Sequence, residues 1–284
     1  TVYAVVGRNM KHLEKWSIWI ILFLLVVFFD TLAGEWLLQD TEYRMLSAYS
    51  TESDSFRAMK LGEAVAAAPS LDIRQIAALM AENGFDLTGI RDLSYDDSAL
   101  RRKKPVEYQK LCQAYTTILQ DLRYFPIPAS TDPKVPPVSF ENSWQEERTY
   151  GGKRGHEGCD IMGMERPRGF YPVISMSDGI VEKVGWLEQG GWRIGIRTPK
   201  GAYLYYAHLH SYSREWKEGD VVGAGEWLGF MGDSGYSATP GTVGNFPVHL
   251  HLGIYFKTDH QEECSVNPYW ILKHFMKFQL KYAY

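Results

Sequence analysis

The stretch "VHLHLGIYF", Val248 to Phe256, decides how the second half of the chain is read. Side chains two apart in a strand point to the same face, so His249 and His251 would project together. Runs of the same kind surround it: "YPVISMSDGIVEKVGW", "WRIGIRTP", "AYLYYAHLH" and "DVVGAGEWLGFMG". Turn signals such as Asp178-Gly179 and Gly190-Gly191 separate them. From about Val138 to Asn267 the sequence therefore reads as mostly antiparallel β.

Upstream the pattern changes. "YFPIPASTDPKVPPVSF" carries five prolines between Pro126 and Pro137. Proline removes amide donors and fixes the backbone, so 126–137 reads as a semi-rigid linker and a domain boundary. Residues 35–125 read as a small α-helical region. "SLDIRQIAALMAEN" has an N-cap candidate at Ser70 and a stop at Asn83-Gly84. "PVEYQKLCQAYTTILQDLRYF" opens with Pro105 at a first helical position. Its Tyr108, Leu111, Tyr115, Ile118, Leu119 and Leu122 share one face. Cys112 beside that face reads as a small buried hydrophobe. This region offers no catalytic constellation.

Nearer the N-terminus, "WSIWIILFLLVVFF", Trp16 to Phe29, has no charge and follows Arg8, Lys11 and Lys15. As a helix it covers about 21 Å, short for a ~30 Å hydrocarbon core and suited to a signal-peptide core. Continued through Asp30 to Gly34 it is long enough to span, with Trp36 just beyond. Thr31-Leu32-Ala33 also resembles a cleavage site. Either membrane reading places the rest of the chain outside the cytoplasm, because the positive flank stays inside. The expectation is a single-pass anchor over residues 1–34, with secretion after cleavage as the alternative.

The 284 residues are 45% hydrophobic and 23% charged, which suits a globular protein with a core. The formal net charge of −4 gives no sign of a nucleic-acid partner. The three cysteines form no Cys-x-x-Cys pair, which excludes a thiolate zinc ribbon. Cys159 and Cys264 are either a disulfide of an oxidising compartment or two buried free thiols.

The histidines carry the chemistry. Five of eight lie in the β region before residue 252: His156, His208, His210, His249 and His251. His208 and His210 would share a face, as would His249 and His251. "GGKRGHEGCDIM", Gly151 to Met162, adds His156 and Asp160 among glycines, either a surface turn or half of a metal site. Zinc takes imidazole nitrogen and carboxylate oxygen, and catalytic sites use three protein ligands. Glycine lets a loop approach a metal closely.

"HEGCD", "YYAHL" and "HLH" succeed one another in the order of a known signature. The β region resembles the lysostaphin-like, LytM-type zinc endopeptidases, which cut the peptides of bacterial cell-wall peptidoglycan. The flanks "SDGIVEKVGW", "GDVVGAGEWLGFMGDSG" and "VHLHLGIY" agree with that family's glycine and turn pattern. The resemblance covers about Ser139 to Pro268. The change of pattern makes the chain multidomain, and the resemblance implies that 138–284 is a mainly antiparallel β catalytic domain, a β-sheet sandwich with a groove. The membrane helix and small helical region precede it. It implies Zn2+ on His156, Asp160 and His251, and catalysis by His208 and His249. His210 has no matching role. A peptidoglycan peptide would be the substrate, with Tyr205, Tyr206, Trp192 and Trp144 as candidates to line the groove. The loop "GYSATPGTVGNFPV" is longer than the family's minimum, and either shapes that groove or is plain surface. A non-catalytic domain that binds cell wall or activates another hydrolase is the competing reading.

Overall fold

The structure is a computed structural model. It describes residues 2–39, 46–164 and 166–284, with side chains in the first segment only from 16 to 35. Two compact units emerge, Thr1–Ser47 and Ala48–Tyr284.

The first unit is helix α1, Val2–Gln39. Within it Trp16–Glu35 spans 20 residues at a mean hydropathy of 2.3, none of it buried. At ~1.5 Å per residue that is about 30 Å, the thickness of a bilayer's hydrocarbon core. The helix does not stop at Phe29. Thr31 returns its hydroxyl to the Val27 carbonyl at 2.8 Å, which hides a polar group inside the apolar run. Length and composition suffice to cross a membrane, and a signal sequence passes the same test. Arg8, Lys11, Lys15 and Trp36 lie outside the described side chains.

The second unit contains helices α2 (Asp54–Arg57), α3 (Gly62–Ala67), α4 (Ile73–Glu82), α5 (Ser98–Lys103), α6 (Pro105–Leu119) and α7 (Tyr269–Phe275). The cap of α4 is Asp72, not Ser70. Asp72 Oδ1 accepts from the amides of Arg74 and Gln75 at 2.9 and 3.1 Å, satisfying two donors that the first turn leaves free. Helix α6 starts with Pro105 and buries Tyr108, Leu111, Tyr115, Ile118 and Leu119.

The strands are β1 (Ala129–Ser130), β2 (Ser139–Phe140), β3 (Glu147–Arg148), β4 (Arg154–Gly155), β5 (Cys159–Met162), β6 (Pro172–Ile174) and β7 (Gly179–Leu187). After them come β8 (Gly191–Arg197), β9 (Tyr203–Tyr212), β10 (Val221–Val222), β11 (Trp227–Met231), β12 (His249–Phe256), β13 (Cys264–Val266) and β14 (Lys281–Tyr282). Ten of them make one antiparallel sheet with the spine β10-β7-β8-β9-β12-β5-β2. Strand β11 pairs with β9 and β6, and β13 extends the β5 side of β12.

Register divides the two faces. His251 lies opposite Asp160 on one side and Ala207 on the other, and Gly253 lies opposite Tyr205, itself opposite Gly195. The alternate residues Leu250, Leu252, Ile254, Leu204, Tyr206, Ile194 and Ile196 are fully buried on the other face. Helices cover that apolar face. Phe56 of α2 packs on Phe256 of β12 and Tyr115 of α6, with ring centroids 5.8 and 5.1 Å apart. Arg57 donates to the Ser265 carbonyl and hydroxyl at 3.0 and 2.8 Å, fastening α2 to β13.

The helical segments and the sheet thus share one core. The proline-rich stretch is not a spacer between them: Phe125 and Ile127 are buried, and Ala129 donates to the Leu280 carbonyl at 2.7 Å. The disulfide alternative fails as well, since Cys159 and Cys264 are buried free thiols. Cys159 pairs with Leu252 and Cys264 with Phe256 along the same side of β12. Four residues at ~3.3 Å each separate them by about 13 Å, beyond the ~7 Å that a bridge allows.

Candidate active site

A cleft of about 530 Å³ opens on the polar face of the sheet. Strands β5 and β12 bring Asp160 and His251 side by side, and the segment before β5 adds His156. His156 is held at both ends of its backbone: its amide donates to the Glu146 carbonyl, and its own carbonyl accepts from Gln145, each at 2.9 Å. Gly158 leaves room for the His251 ring, because a Cβ there would lie 2.5 Å from His251 Cε1.

Three acceptor atoms converge. Asp160 Oδ1 lies 3.1 Å from His156 Nε2 and 2.9 Å from His251 Nδ1, and the two nitrogens are 3.0 Å apart. His156 Nδ1 faces the Ser143 hydroxyl at 3.0 Å and the Ser143 carbonyl at 3.1 Å, and a ring proton donated to that carbonyl leaves a lone pair on Nε2. A four-coordinate ion with bonds of ~2.0–2.1 Å sets its donors about 3.3 Å apart, so this nitrogen, nitrogen and oxygen set fits zinc in chemistry and spacing. His156, Asp160 and His251 are also the cluster among the described residues whose ligand atoms could share an ion.

Electrostatics keep Asp160 and His251 in their ligand forms. Burial alone would raise the Asp160 carboxyl. Hydrogen bonds with His156 and His251, and the charges of His251 and His249, instead hold it well below the usual carboxylate range. Burial pushes His251 down, against the pull of Asp160. Arg148 on β3 donates to the second oxygen, Asp160 Oδ2, at 3.0 Å. That bond orients the carboxylate and leaves Oδ1 turned to the histidines.

His208 and His249 flank the cluster, with ring centroids 4.7 Å apart. His249 Nε2 is 3.7 Å from Asp160 Oδ1. Each ring is pinned through Nδ1: His208 on the Ser234 carbonyl at 2.8 Å, His249 on the Pro247 carbonyl at 2.7 Å. Both Nε2 atoms are thereby free of backbone partners. Burial, then the neighbouring His249 and His251, keep His208 well below the ordinary imidazole range, so it is neutral near pH 7.

His208 and His210 do not share a face as the strand period predicts. His208 has φ 63°, at a bulge where two residues of β9, Ala207 and His208, stand between the paired Tyr206 and Leu209 against one, Arg193, on β8. The extra residue turns the His208 ring into the cleft and leaves His210 exposed beside Gly169. Among the aromatic candidates Tyr205 lines the cleft. Tyr206 is in the core, its hydroxyl accepting from the Met176 amide at 2.9 Å. Trp192 stacks edge-on with Trp186 and Tyr212, and Trp144 lies under the Arg57 guanidinium. The long loop contributes directly: Tyr236 lines the cleft, and Phe246 packs on His208 and His249 at 4.5 and 5.1 Å. Ser143, Arg148, Arg154 and Arg193 carry no spacing signal, and sequence reading missed them.

Comparison with known proteins agrees with this architecture. Residues 154–267 match the model of peptidase family M23. The L-Ala–D-Glu endopeptidase of Bacillus subtilis is 42% identical over 163 residues, 57% of this chain and 47% of that protein. Lysostaphin of Staphylococcus simulans is 37% identical over 83 residues, 28% of this chain and 15% of that protein. This chain therefore spans about half the length of the first of these relatives, and less of the second. A crystal structure of a lytM protein from Ruminococcus gnavus, provisionally named a glycyl-glycine endopeptidase, superposes with a TM-score of 0.71 at 41% identity. That likeness covers 84% of this chain and 99% of the other, so it extends beyond the β region into the helical residues. With sheet, histidine cluster and near-complete coverage of that structure in agreement, the chain belongs to peptidase family M23, the LytM-type endopeptidases.

Proposed function

We propose that this protein is a zinc-dependent endopeptidase that hydrolyses peptide bonds in bacterial peptidoglycan, with zinc held by His156, Asp160 and His251. The observation that carries the reading is the convergence of three ligand atoms within 3.1 Å of one another, beside two imidazoles pinned through Nδ1. When bound, zinc supplies Lewis acidity that polarises the scissile carbonyl and acidifies water. His208 and His249 do the proton work. A neutral ring whose Nδ1 proton is committed to a carbonyl offers Nε2 as an acceptor, so either ring can take a proton from the attacking water. Once protonated, the same Nε2 donates to the tetrahedral oxyanion or to the leaving amine. The carbonyls of Ser234 and Pro247 stabilise the charged ring and fix its direction. Residues 138–284 carry the chemistry in this reading, and 48–125 buttress it from behind.

Two sets of substitutions test the roles. Asp160→Ala and His251→Ala should lose metal and activity together. His249→Ala and His208→Ala should keep zinc and lose roughly 10²–10⁴-fold in rate. His210→Ala should do little. The readouts are zinc content and new amino groups released from peptidoglycans of several cross-link types. A zinc-loaded protein that binds cell wall and releases none would sink the enzymatic reading in favour of a binding or activating role.

The exposed apolar run Trp16–Glu35 and the basic residues before it support an N-in, C-out anchor with the sheet outside the cytoplasm. Membrane fractions should retain the full-length chain, and external protease should reach residues beyond the helix. A mature protein starting near Gly34 and free in the medium would establish cleavage instead.

A further inference from the structure

The cleft sets three arginines against three carboxylates, Glu157, Asp160 and Glu263, but these charges are unevenly paired. Three arginines line it: Arg148, Arg154 and Arg193. Arg148 is engaged, at 3.0 Å from Asp160 Oδ2 and 3.6 Å from Glu146. Arg154 and Arg193 have no carboxylate partner among the described residues. Arg154 Nε and Arg193 Nη1 are shielded from solvent and hydrogen-bonded to nothing. A guanidinium nitrogen that has lost water without gaining an acceptor is costly, unless a ligand supplies the acceptor.

The acids of the cleft do not fill that role. Asp160 belongs to the histidine cluster. Glu157 is held by Arg57 at 3.1 Å. Glu263 is exposed, and although its charge and that of Arg193 are both felt by Tyr203, it forms no ion pair with either arginine among the described residues. The two arginines sit near the reacting centre. Arg154 precedes His156 by two residues, and its charge and that of Arg193 both act on the Tyr205 hydroxyl. The Tyr205 ring is 6.0 Å from that of His251.

We infer that Arg154 and Arg193 form a carboxylate-binding subsite beside the His156, Asp160 and His251 cluster, selecting a peptide with a free carboxylate next to the cleaved bond over an uncharged one such as oligoglycine. The inference rests on the endopeptidase reading and names the substrate class of the same site. A guanidinium presents a planar fork of donors that matches a carboxylate, and the partly enclosed cleft strengthens that pairing relative to bulk water. A primary amide of the same shape returns hydrogen bonds without charge. Exchanging carboxylate for amide on the peptide therefore isolates the interaction.

The test uses the full chain in detergent micelles, with metal removed by chelator so that binding is read without turnover. The probe is a fluorescently labelled L-Ala-γ-D-Glu-L-Lys peptide, compared by anisotropy with its matched α-carboxamide. The acid should bind about 10–100-fold more tightly than the amide, the range of a charge-assisted hydrogen bond. Arg193→Gln and Arg154→Gln should each weaken the acid toward the amide and leave the amide unchanged. Arg193→Lys and Arg154→Lys, which keep charge but not the fork, should retain part of the preference and serve if a glutamine variant misfolds. Equal binding of acid and amide by the wild type overturns the inference. So does an equal loss for both peptides in the variants, or no binding of either at millimolar concentration. Zinc-loaded protein separates this inference from the function beneath it. Cleavage of neutral oligoglycine as fast as of the acid peptide leaves the endopeptidase and removes the subsite. An acid preference in binding without cleavage of any peptidoglycan leaves the subsite and removes the endopeptidase.

Discussion

Arg148 shows how much of a site can depend on one side chain outside the set of metal ligands. Its bond to Asp160 Oδ2 fixes which oxygen faces the two histidines. Without it the half-buried carboxylate can rotate, and one of its oxygens loses its partner. Arg148→Ala should lower zinc affinity about 10–100-fold, the usual cost of removing an outer partner of a ligand, and should leave the fold intact. Competition against a chromophoric chelator measures it. Unchanged affinity would mean that His156 and His251 alone orient Asp160. His208 carries a comparable burden in its backbone. A positive φ is uncommon outside glycine, and here it places the ring on the side of the sheet where the metal ligands are.

At the scale of elements, the site depends on what packs behind it. Strand β12 presents two histidines to the cleft and Leu250, Leu252 and Ile254 to the core, so a one-residue slip in its register would exchange the two sets. Helices α2 and α6 press on that apolar side, and α7 closes against α3. His274 on α7 is 2% exposed and bonds the Val65 carbonyl of α3 at 3.3 Å. Burial and then Lys277 push its pKa below the ordinary value, while bonds to Val65 and Ala66 pull the other way. The unfolded chain therefore binds a proton near pH 6.5 that the folded chain refuses. The stability held above that pH should be lost as pH falls through the window down to the folded pKa. Urea melts between pH 5 and 8 should show this slope, and His274→Gln should make it shallower. An identical slope in the variant would assign the loss to other groups.

On the scale of the whole molecule, residues 48–284 behave as one core and not as two domains on a linker. The rings of Phe56, Tyr115 and Phe256 join three segments far apart in sequence, and Ala129–Ser130 pairs in parallel with Lys281–Tyr282. A chain of residues 48–284 should unfold in a single transition by circular dichroism. One of 126–284 should expose the apolar back of the sheet and aggregate or bind a hydrophobic dye. A soluble 126–284 with native-like spectra and intact zinc binding would restore the two-domain view.

The sequence by itself determined the β periodicity of 138–267, the α6 helix with its Pro105 start, the apolar run of α1 and the family. Each is a local or ordered signal: period two, period 3.6, unbroken apolarity, and three short motifs in order. It also nominated His156, Asp160 and His251, which the folded chain gathers within 3.1 Å, and His208 and His249 beside them. Only the tertiary structure decided the rest. The capping of α4 by Asp72, the spread of Cys159 and Cys264 along β12, and the joining of helices and sheet depend on which segments meet. The same holds for His208, which strand alternation would send into the core and a bulge turns into the cleft. Arg148, Arg154 and Arg193 sit on three different strands, β3, β4 and β8. No spacing in the chain links them, because the distances that matter to charge are set across the sheet and not along the sequence.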